Sequence, residues 1–246
     1  EAATRERQQT LSAGCAKLRL MVSGSAALPV RVLEQWQRIS SHFLLERYGM
    51  TEIGMALSNP VRGQRQSGFV GQPLPQVEVR LVDEQGELVS SGTPGEIQVK
   101  GPGVFLDYWQ NPEATAKAFQ AGWFCTGDLA VVEQESYRIL GRLSVDIIKT
   151  GGYKVSALEI EEVLRTHPDI QDCAVVGVED EEWGERVCAA LVLRSEGSLT
   201  LPVFRGWAKE QLAVYKVPTR ILTVEELPRN AMGKVTKPAV VKLFSP

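Results

Sequence analysis

Apolar residues along this 246-residue chain are grouped in short runs, and the spacing inside the runs changes along the chain. Residues 18–22 form a short, mostly apolar run of strand length that leads into Ser23-Gly24-Ser25, and after Pro29 apolar residues recur at helical spacing. A second short run follows at residues 43–45. This order of strand, glycine loop, helix and strand predicts an α/β layer with ligand-binding loops at strand ends.

After Gly68 the pattern changes, and apolar residues alternate with polar or charged ones in short segments. Alternation over residues 77–81, a glycine-containing turn at 83–87 and renewed alternation at 97–99 predict strands of a small β unit. Residues 111–119 carry helix-forming side chains after Pro112, and a hairpin is expected from residues 129–132 and 137–140, turning at 133–136. The first domain is expected to end near Leu140.

A second set of elements follows Gly141. Ser156 and Glu159 have the spacing of a capping box, which predicts a helix start, and apolar residues then recur at helical spacing. Strands are expected at residues 173–178, 186–193 and 220–224, with a helix at 203–212. About a hundred residues of α+β structure are enough for a small domain of its own.

Charge and hydropathy exclude several classes of protein. The 27 Lys+Arg against 30 Asp+Glu leave a net charge of −3, so no basic excess is available for nucleic acid. The longest apolar runs, residues 173–178 and 187–193, are far shorter than the roughly 20 residues of a membrane-spanning helix. A composition of 43% hydrophobic and 23% charged residues indicates a folded, soluble protein.

Cysteine and histidine offer little catalytic chemistry. The four cysteines are scattered without a Cys-x-x-Cys pair, which argues against a disulfide scaffold and a zinc site and favours a reducing compartment. Of the two histidines, His167 precedes Pro168 in what we expect to be a solvated helix-to-strand turn. Residues 1–9 are polar and lack both an initiator Met and a signal-peptide run, so we expect the chain to begin inside a longer protein.

Five stretches combine glycine, hydroxyl and charged groups in expected loops: residues 23–29, 48–52, 123–128, 141–152 and 227–234. Each alone is ordinary turn chemistry. In order and spacing the set resembles the adenylate-forming superfamily of acyl-CoA synthetases, luciferases and peptide-synthetase adenylation domains. The motifs that carry the resemblance are Ser-Gly-Ser-Ala-Ala-Leu-Pro from Ser23, Tyr-Gly-Met-Thr-Glu from Tyr48, Trp-Phe-Cys-Thr-Gly-Asp from Trp123, Gly-Arg from Gly141, Ile-Lys-Thr-Gly-Gly-Tyr-Lys-Val from Ile148, Leu-Glu-Ile-Glu from Leu158 and Pro-Arg-Asn-Ala-Met-Gly-Lys from Pro228.

The resemblance implies both a fold and a reaction. Residues 1–141 would be the C-terminal part of a large α/β domain, an α/β layer plus a small β-barrel-like unit, and residues 142–246 a small mobile α+β domain. A carboxylate would attack the α-phosphorus of ATP with Mg²⁺ present, pyrophosphate would leave, and the thiol of CoA would then displace AMP. Such a reaction depends on positioning and fixed cations more than on a protein nucleophile.

The resemblance also assigns roles to residues. Lys234 matches the late catalytic lysine, Glu52 the magnesium carboxylate, and Thr51 a hydroxyl for phosphate or acyl group. Asp128 would accept hydrogen bonds from the ribose hydroxyls, and Arg142 would reach ribose or phosphate. Tyr48 would stack on adenine, unless it is an ordinary buried aromatic residue. The remaining residues expected to bind ATP are Ser23, Gly24, Ser25, Ala26, Gly49 and Met50.

The small domain is expected to swivel. The hinge is placed at Ser144, Val145 and Asp146, in a stretch one residue longer than the commonest pattern of the family. After delivering Lys234, the domain would rotate to present a CoA-binding face with Lys149, Gly151 and Gly152. Paired glycines suit that face because a pantetheine arm needs close approach to the backbone.

The motif Glu-Arg-Tyr-Gly-Met-Thr-Glu from Glu46 looks most like that of the malonyl-CoA synthetases, mitochondrial in vertebrates. The guanidinium of Arg47 suits the second carboxylate of malonate or methylmalonate, and Met55 could line the same pocket. Two alternatives stay open for Arg47, ion pairs with Glu46 or with Glu52. For the chain, the alternatives are a medium-chain or aryl acid, transfer to a carrier protein, and a non-catalytic module that binds nucleotide or a partner.

One motif of the superfamily does not occur in these 246 residues: the Ser/Thr/Gly-rich phosphate loop ending in Lys, which lies upstream of the Ser23 motif in relatives. A Walker-type phosphate loop does not occur either. We therefore expect this chain to be the C-terminal half of an enzyme whose N-terminal half supplies that loop, and to be weakly active or inactive alone.

Overall fold

The computed structural model describes residues 5–194 and 199–244. The chain divides into two compact units, Glu1–Ile139 and Leu140–Pro246. This boundary falls two residues before the one placed after Gly141 on sequence grounds.

The first unit opens with an α/β layer. Its elements are α1 (Arg5–Cys15), β1 (Val22–Ser23), α2 (Val30–Ser40), β2 (Leu45–Met50), β3 (Gly54–Ser58) and β4 (Gln72–Pro73), and the sheet order is β1-β2-β3-β4. Strand β1 pairs parallel to β2, whereas the other pairs are antiparallel. The helix predicted after Pro29 is confirmed. The strand predicted at residues 18–22 is wrong except at Val22, because β1 pairs with β2 over two residues.

A second sheet contains β5 (Glu78–Val82), β6 (Gly95–Lys100), β7 (Phe119–Gln120), β8 (Trp123–Glu133) and β9 (Ser136–Arg142), with α3 (Pro112–Ala118) before β7. It belongs to the first unit except for the last three residues of β9, which follow the boundary. Its order is β5-β6-β8-β7, and β9 pairs with β8. The alternation from residue 77 and the hairpin at 133–136 are thus confirmed. At the hairpin turn, Gln134 and Glu135 both have positive φ.

The core of the first unit lies where β3, β6 and β8 face each other, with Leu57, Ile97 and Phe124 fully buried. Along β8, every second side chain from Phe124 to Ala130 points inward. This register also turns Asp128 inward. A carboxylate in that position needs polar partners.

The second unit consists of β10 (Ile147–Thr150), β11 (Tyr153–Ser156), α4 (Ala157–Leu164), β12 (Ile170–Asp180), β13 (Gly184–Leu193), α5 (Leu201–Gln211), a 3-10 turn (Val214–Lys216), β14 (Arg220–Thr223) and α6 (Lys237–Leu243). The sheet order is β11-β10-β13-β12, with β14 parallel to β13. Helices α4 and α5 bury Ile160 and Phe204 in one core, and α6 buries Val240 in a second. The α+β expectation is confirmed.

His167 corrects one expectation. It lies in the turn between α4 and β12, as predicted, but it is buried rather than solvated, at 6% exposure. Its ring packs edge-on against Trp207, and Nδ1 accepts a hydrogen bond from the Asp169 N–H at 3.1 Å. Neighbouring α5 covers this turn, which local sequence does not reveal.

The helices in residues 5–194 and 199–244 are all too short or too polar to cross a membrane.

Candidate nucleotide and acyl-activation site

The motif at Ser23 lies beside the motif at Glu46 because β1 and β2 are parallel neighbours, with Ser23 opposite Glu46. The Arg47 guanidinium packs against Gly24: a Cβ on Gly24 would lie 2.9 Å from Arg47 Cζ. The next residue, Ser25, has φ 70°, so the loop bends sharply here. Glycine at position 24 therefore makes room for the arginine.

Three of the five expected loops are in large part strands instead. Residues 48–50 complete β2, residues 123–128 begin β8, and residues 147–150 form β10 within the expected loop at 141–152. Gly49 sits at a register shift between β2 and β3, where a Cβ would lie 2.1 Å from Gly54 O. The loop-like composition thus marks an irregular place in a strand, since glycine permits backbone approach that other residues block.

Asp128 and Tyr48 meet across the first unit. The Tyr48 hydroxyl donates to Asp128 Oδ2 at 2.6 Å. Thr126 Oγ1 accepts from the Asp128 N–H at 3.1 Å and donates to Ile97 O at 2.8 Å. Asp128 is 8% exposed, with Tyr48 bound to its carboxylate and Thr126 bound to its backbone. The Tyr48 ring also packs on the core of the unit, so its position is fixed from both sides.

Glu52 lies in the turn between β2 and β3. Its Oε1 accepts the Tyr108 hydroxyl at 3.0 Å, and its backbone oxygen accepts the Phe105 N–H at 2.7 Å. Sequence reasoning missed Tyr108. No local pattern marks this residue, because it lies 56 positions from Glu52 in the sequence. Thr51, one residue before Glu52, is exposed, and Met55, opposite Gly49 on β3, is 40% exposed.

Lys234 lies in the second unit, in a tight turn formed by residues 230–234. Asn230 Oδ1 accepts from the N–H groups of Met232 and Lys234, each at 3.0 Å, and the Asn230 N–H donates to Lys234 O at 2.9 Å. Gly233 has φ 78°, a conformation that suits glycine. The turn is ordered by its own hydrogen bonds while the Lys234 side chain is exposed.

Gly151 and Gly152 form the turn between β10 and β11, with φ of 53° and 81°. The Gly151 N–H donates to Trp183 O at 3.0 Å, and a Cβ on Gly151 would lie 3.0 Å from the Trp183 ring. Sequence reasoning missed Trp183, which is 45% exposed beside this turn. Lys149 precedes the turn, and its N–H donates to Glu185 Oε2 at 2.5 Å.

The expected hinge segment is a closed turn in the second unit. The Asp146 N–H donates to Arg142 O at 2.8 Å, and Asp146 Oδ2 accepts the Arg142 N–H at 3.0 Å. Asp146 O also accepts the N–H of Ala157, the first residue of α4, at 2.7 Å. Asp146 is therefore attached to the second unit, whereas Ser144 and Val145 are exposed. The hinge itself stays a prediction.

Comparison with known families decides the membership. Residues 2–109 match the model for AMP-binding enzymes, and residues 159–234 match the model for the C-terminal domain of AMP-binding enzymes. The chain belongs to the AMP-binding enzyme family. Both units therefore carry a match, in the order that the motifs indicated.

Relatives of this AMP-binding chain include malonate–CoA ligases. The Bos taurus enzyme, named as mitochondrial, is 53% identical over 251 residues, covering 94% of this chain and 43% of the relative. The Arabidopsis thaliana malonate–CoA ligase is 48% identical over 254 residues, covering 98% and 41%. The structure is similar to the crystal structure of ATP-bound MatB from Rhodopseudomonas palustris, with a TM-score of 0.87 and 40% identity. The match covers 92% of this chain and 45% of that one. The chain thus spans less than half the length of these relatives.

The predicted site residues of this AMP-binding enzyme fall into two groups. The first unit brings together the Ser23–Ala26 loop with Arg47, and Tyr48 with Asp128. Arg142, Lys149, the Gly151–Gly152 turn and Lys234 lie in the second unit. Each group has its own ordered geometry.

Glu52 is the residue predicted to hold Mg²⁺. Within residues 5–194 and 199–244, no group of three or more His, Cys, Asp or Glu side chains is arranged to hold a metal ion. Mg²⁺ commonly binds one or two carboxylates together with substrate phosphates and water, rather than a complete protein cage. A single carboxylate such as Glu52 fits such a site, since Tyr108 engages Oε1 and a carboxylate has further acceptor positions.

Proposed function

We propose that this chain is the C-terminal part of an ATP-dependent malonate–CoA ligase, which adenylates malonate or methylmalonate and transfers the acyl group to CoA. The observation that carries the proposal is the place of Arg47, packed against Gly24 in the loop of the Ser23 motif. The relatives named malonate–CoA ligase support the same activity. By the name of the bovine relative, we propose a mitochondrial location.

Asp128 would hold the ribose of ATP. A carboxylate can accept several hydrogen bonds, so Tyr48 on Oδ2 leaves acceptor capacity for the ribose hydroxyls. Because Asp128 is buried and its backbone is bound to Thr126, the nucleotide would meet an acceptor that is already oriented. The small side chains of the Ser23–Ala26 loop and the backbone at Gly49–Met50 would leave room for adenine beside the Tyr48 ring.

Glu52 would hold Mg²⁺ against the phosphates, where the ion would neutralise their negative charge when bound. The Tyr108 hydroxyl orients the carboxylate for this task. Thr51, exposed on the same turn, would donate its hydroxyl to a phosphate or acyl oxygen.

The second unit would supply a cation and then a thiol site. In the first step the acid oxygen bonds to the α-phosphorus and pyrophosphate leaves, while Lys234 and Arg142 balance the growing charge. In the second step the CoA sulfur attacks the acyl carbon and AMP leaves. Rotation about residues 144–146 would exchange Lys234 for the Lys149 and Gly151–Gly152 face between the steps.

Arg47 would select the acid. A guanidinium can bind a carboxylate through two parallel hydrogen bonds, which a monocarboxylic acid has no second group to use. Both alternative partners of Arg47 accept a hydrogen bond from elsewhere: Glu46 Oε1 accepts the Gly68 N–H at 3.1 Å, and Glu52 Oε1 accepts the Tyr108 hydroxyl at 3.0 Å. A carboxylate can accept further hydrogen bonds, so the acid panel below tests the substrate role of Arg47. Met55 would line the same pocket.

The test is thioester formation by the full-length protein with a panel of acids and CoA. We expect ATP-dependent turnover with malonate or methylmalonate. Arg47→Ala is expected to lower kcat/KM for malonate on the order of 100-fold, since it leaves a carboxylate unpaired, with little effect on acetate. Arg38→Ala, an exposed arginine on α2, is the control and should match wild type.

Three outcomes would contradict the proposal. A medium-chain or aryl acid could be the best substrate, acyl transfer could require a carrier protein, or no acid could support turnover, as for a binding module. The 246-residue chain alone should be weakly active or inactive. Pyrophosphate exchange by this chain at the rate of the full-length protein would refute that expectation.

A further inference from the structure

The turn that carries Lys234 is attached to the rest of the second unit on both sides by charged residues. We define the flank network as Arg229, Asp172, Arg165, Glu161 and Lys237. Arg229 lies five residues before Lys234, and Lys237 lies three residues after it. Arg229 and Glu161 lie in motifs that carry the family resemblance, but none of the five residues was assigned a role there or used in the proposed reaction.

Arg229 joins the turn to a strand. Its NH2 group donates to Asp172 Oδ2 at 2.6 Å, and its NH1 group donates to Gly233 O at 2.8 Å. Gly233 is the residue immediately before Lys234. One guanidinium thus contacts the sheet and the peptide unit next to the lysine, which its planar fork permits.

Asp172 is itself held in place. A register irregularity between Ile170 and Asp172 interrupts the pairing of β12 with β13, and bulges of this kind redirect a side chain. Asp172 Oδ1 accepts the Cys173 N–H at 2.8 Å and lies 3.8 Å from Arg165 Nε. The carboxylate that receives Arg229 is therefore anchored on its other oxygen.

Lys237 fixes the other flank. Its ammonium donates to Glu161 Oε1 and to Val175 O, the latter at 2.6 Å, and lies 3.7 Å from Asp146 Oδ1. The side chains of Lys237 and Glu161 are 11% and 5% exposed. Moving this buried ammonium away from its partners would cost stability, because the carboxylate would remain buried and unpaired. Lys237 is the first residue of α6, so the start of the helix is fixed.

Arg165 joins the two flanks. Its NH2 group lies 3.2 Å from Glu161 Oε2, and its Nε lies 3.8 Å from Asp172 Oδ1. The carboxylates that receive Arg229 and Lys237 thus share one guanidinium. Both ends of the turn are bound to the same assembly of α4 and β12.

We propose that Arg229 is a positioning residue for Lys234. Arg229 fixes the peptide unit before Lys234 to the flank network. This inference rests on the proposed role of Lys234 in adenylation. The lysine side chain is long and exposed, and its turn contains Gly233 in a left-handed conformation. Fixing the backbone lowers the entropy lost when the ammonium meets the reacting phosphate, and small displacements of a catalytic group cost large factors in rate.

The first experiment uses this chain and needs no activity. Amide hydrogen exchange is measured by NMR in wild type, Arg229→Ala and the control Arg138→Ala, which removes the Arg138–Glu133 ion pair in the first unit. In Arg229→Ala, exchange at Met232 and Lys234 should rise about fivefold or more while β12 and β13 amides are unchanged. Unchanged exchange at Met232 and Lys234 would overturn the proposal.

The second experiment uses the full-length protein and measures the two half-reactions separately. Arg229→Ala should slow adenylation about 10- to 100-fold, while thioester formation from supplied acyl-adenylate and CoA keeps its wild-type rate. Arg229→Lys should recover part of the loss, since an ammonium lacks the fork that contacts both partners. Asp172→Asn should slow adenylation less than Arg229→Ala and in the same step.

A double-variant comparison separates positioning from general structural damage. In a Lys234→Ala background, Arg229→Ala should change adenylation by less than about twofold, because it acts through the missing lysine. An equal loss in both backgrounds, or equal slowing of both half-reactions, would overturn the proposal. If wild-type protein forms no thioester with any acid, the proposed function fails, whereas the exchange experiment still decides whether Arg229 orders the turn.

Discussion

At the scale of single residues, each of the two carboxylates predicted to bind nucleotide or metal accepts a hydrogen bond from a tyrosine. Asp128 accepts from Tyr48 and Glu52 accepts from Tyr108. A neutral phenol orients a carboxylate and leaves its negative charge in place. An arginine or lysine would instead neutralise that charge. Both groups can therefore be fixed and still attract a cation or a hydroxyl donor. The motifs led to the carboxylates and to Tyr48, whereas Tyr108, distant in sequence from Glu52, was missed.

Two buried thiols provide a prediction about pH. Burial raises the pKa of Cys173 to about 12 and that of Cys188 to about 11, against an ordinary value of 9.0. We expect alkylation at pH 9 to leave both unmodified in the folded chain, because the thiolate is the reactive form and both side chains are enclosed. Peptide mass spectrometry measures this, with the urea-unfolded chain as the reactive control. Equal rates in both states would contradict it.

The same shifts determine the direction of a stability change. Above pH 9 the unfolded chain loses thiol protons that the folded chain keeps, so the free energy of unfolding should fall as pH rises toward 11 and 12. Below pH 9 the two thiols should contribute no pH dependence. Urea titrations from pH 8 to 11 measure the slope in wild type and in Cys173→Ala. An identical slope in the two proteins would contradict the role of Cys173.

At the scale of elements, caps explain where some helices begin. Ser156 Oγ accepts the Glu159 N–H at 3.1 Å at the start of α4, as the capping-box spacing predicted. The Glu159 carboxylate, however, accepts from Lys216 Nζ at 2.6 Å. The side chain of Glu159, one member of the capping box, is therefore paired with a residue distant in sequence. Similarly, residues 48–50 and 123–128 have loop composition but lie in strands, because neighbouring strands pair with them.

Replacing the α4 cap tests its contribution. Ser156→Ala should lower the free energy of unfolding by about 1–2 kcal/mol, since it removes the acceptor for Glu159 N–H and the donor to Leu140 O. Thr200→Ala is the matched control. Thr200 is the N-cap of α5 without a side-chain cap hydrogen bond, so its loss should cost less than about 0.5 kcal/mol. Equal losses in urea unfolding would contradict the prediction.

At the scale of the whole molecule, each unit contains its own cores. The first unit buries its apolar residues between β3, β6 and β8, and the second buries them on two faces of one sheet. The flank network also lies within the second unit, and so do the residues of the expected CoA face. The proposed rotation that delivers Lys234 would require such internal rigidity.

The second unit should fold alone. Residues 140–246, expressed by themselves, should keep the amide protection of β12 and β13 found in the whole chain, because both clusters that cover this sheet are internal. Phe204→Ala, which empties a fully buried site, should destabilise this piece by about 3–5 kcal/mol. Exposed Val203→Ala is the control. Loss of protection in the isolated wild-type piece would contradict the prediction.

The sequence by itself determined the order of the motifs, the α/β and α+β character, and the helices after Pro29 and Ser156. These follow from local spacing and local hydrogen bonds, which act between residues a few positions apart. Only the tertiary structure decided that Tyr48 meets Asp128, that Tyr108 meets Glu52 and that Arg229 meets Asp172. Those contacts join residues 56 to 80 positions apart, and strand register and packing, rather than local preference, bring them within hydrogen-bond distance.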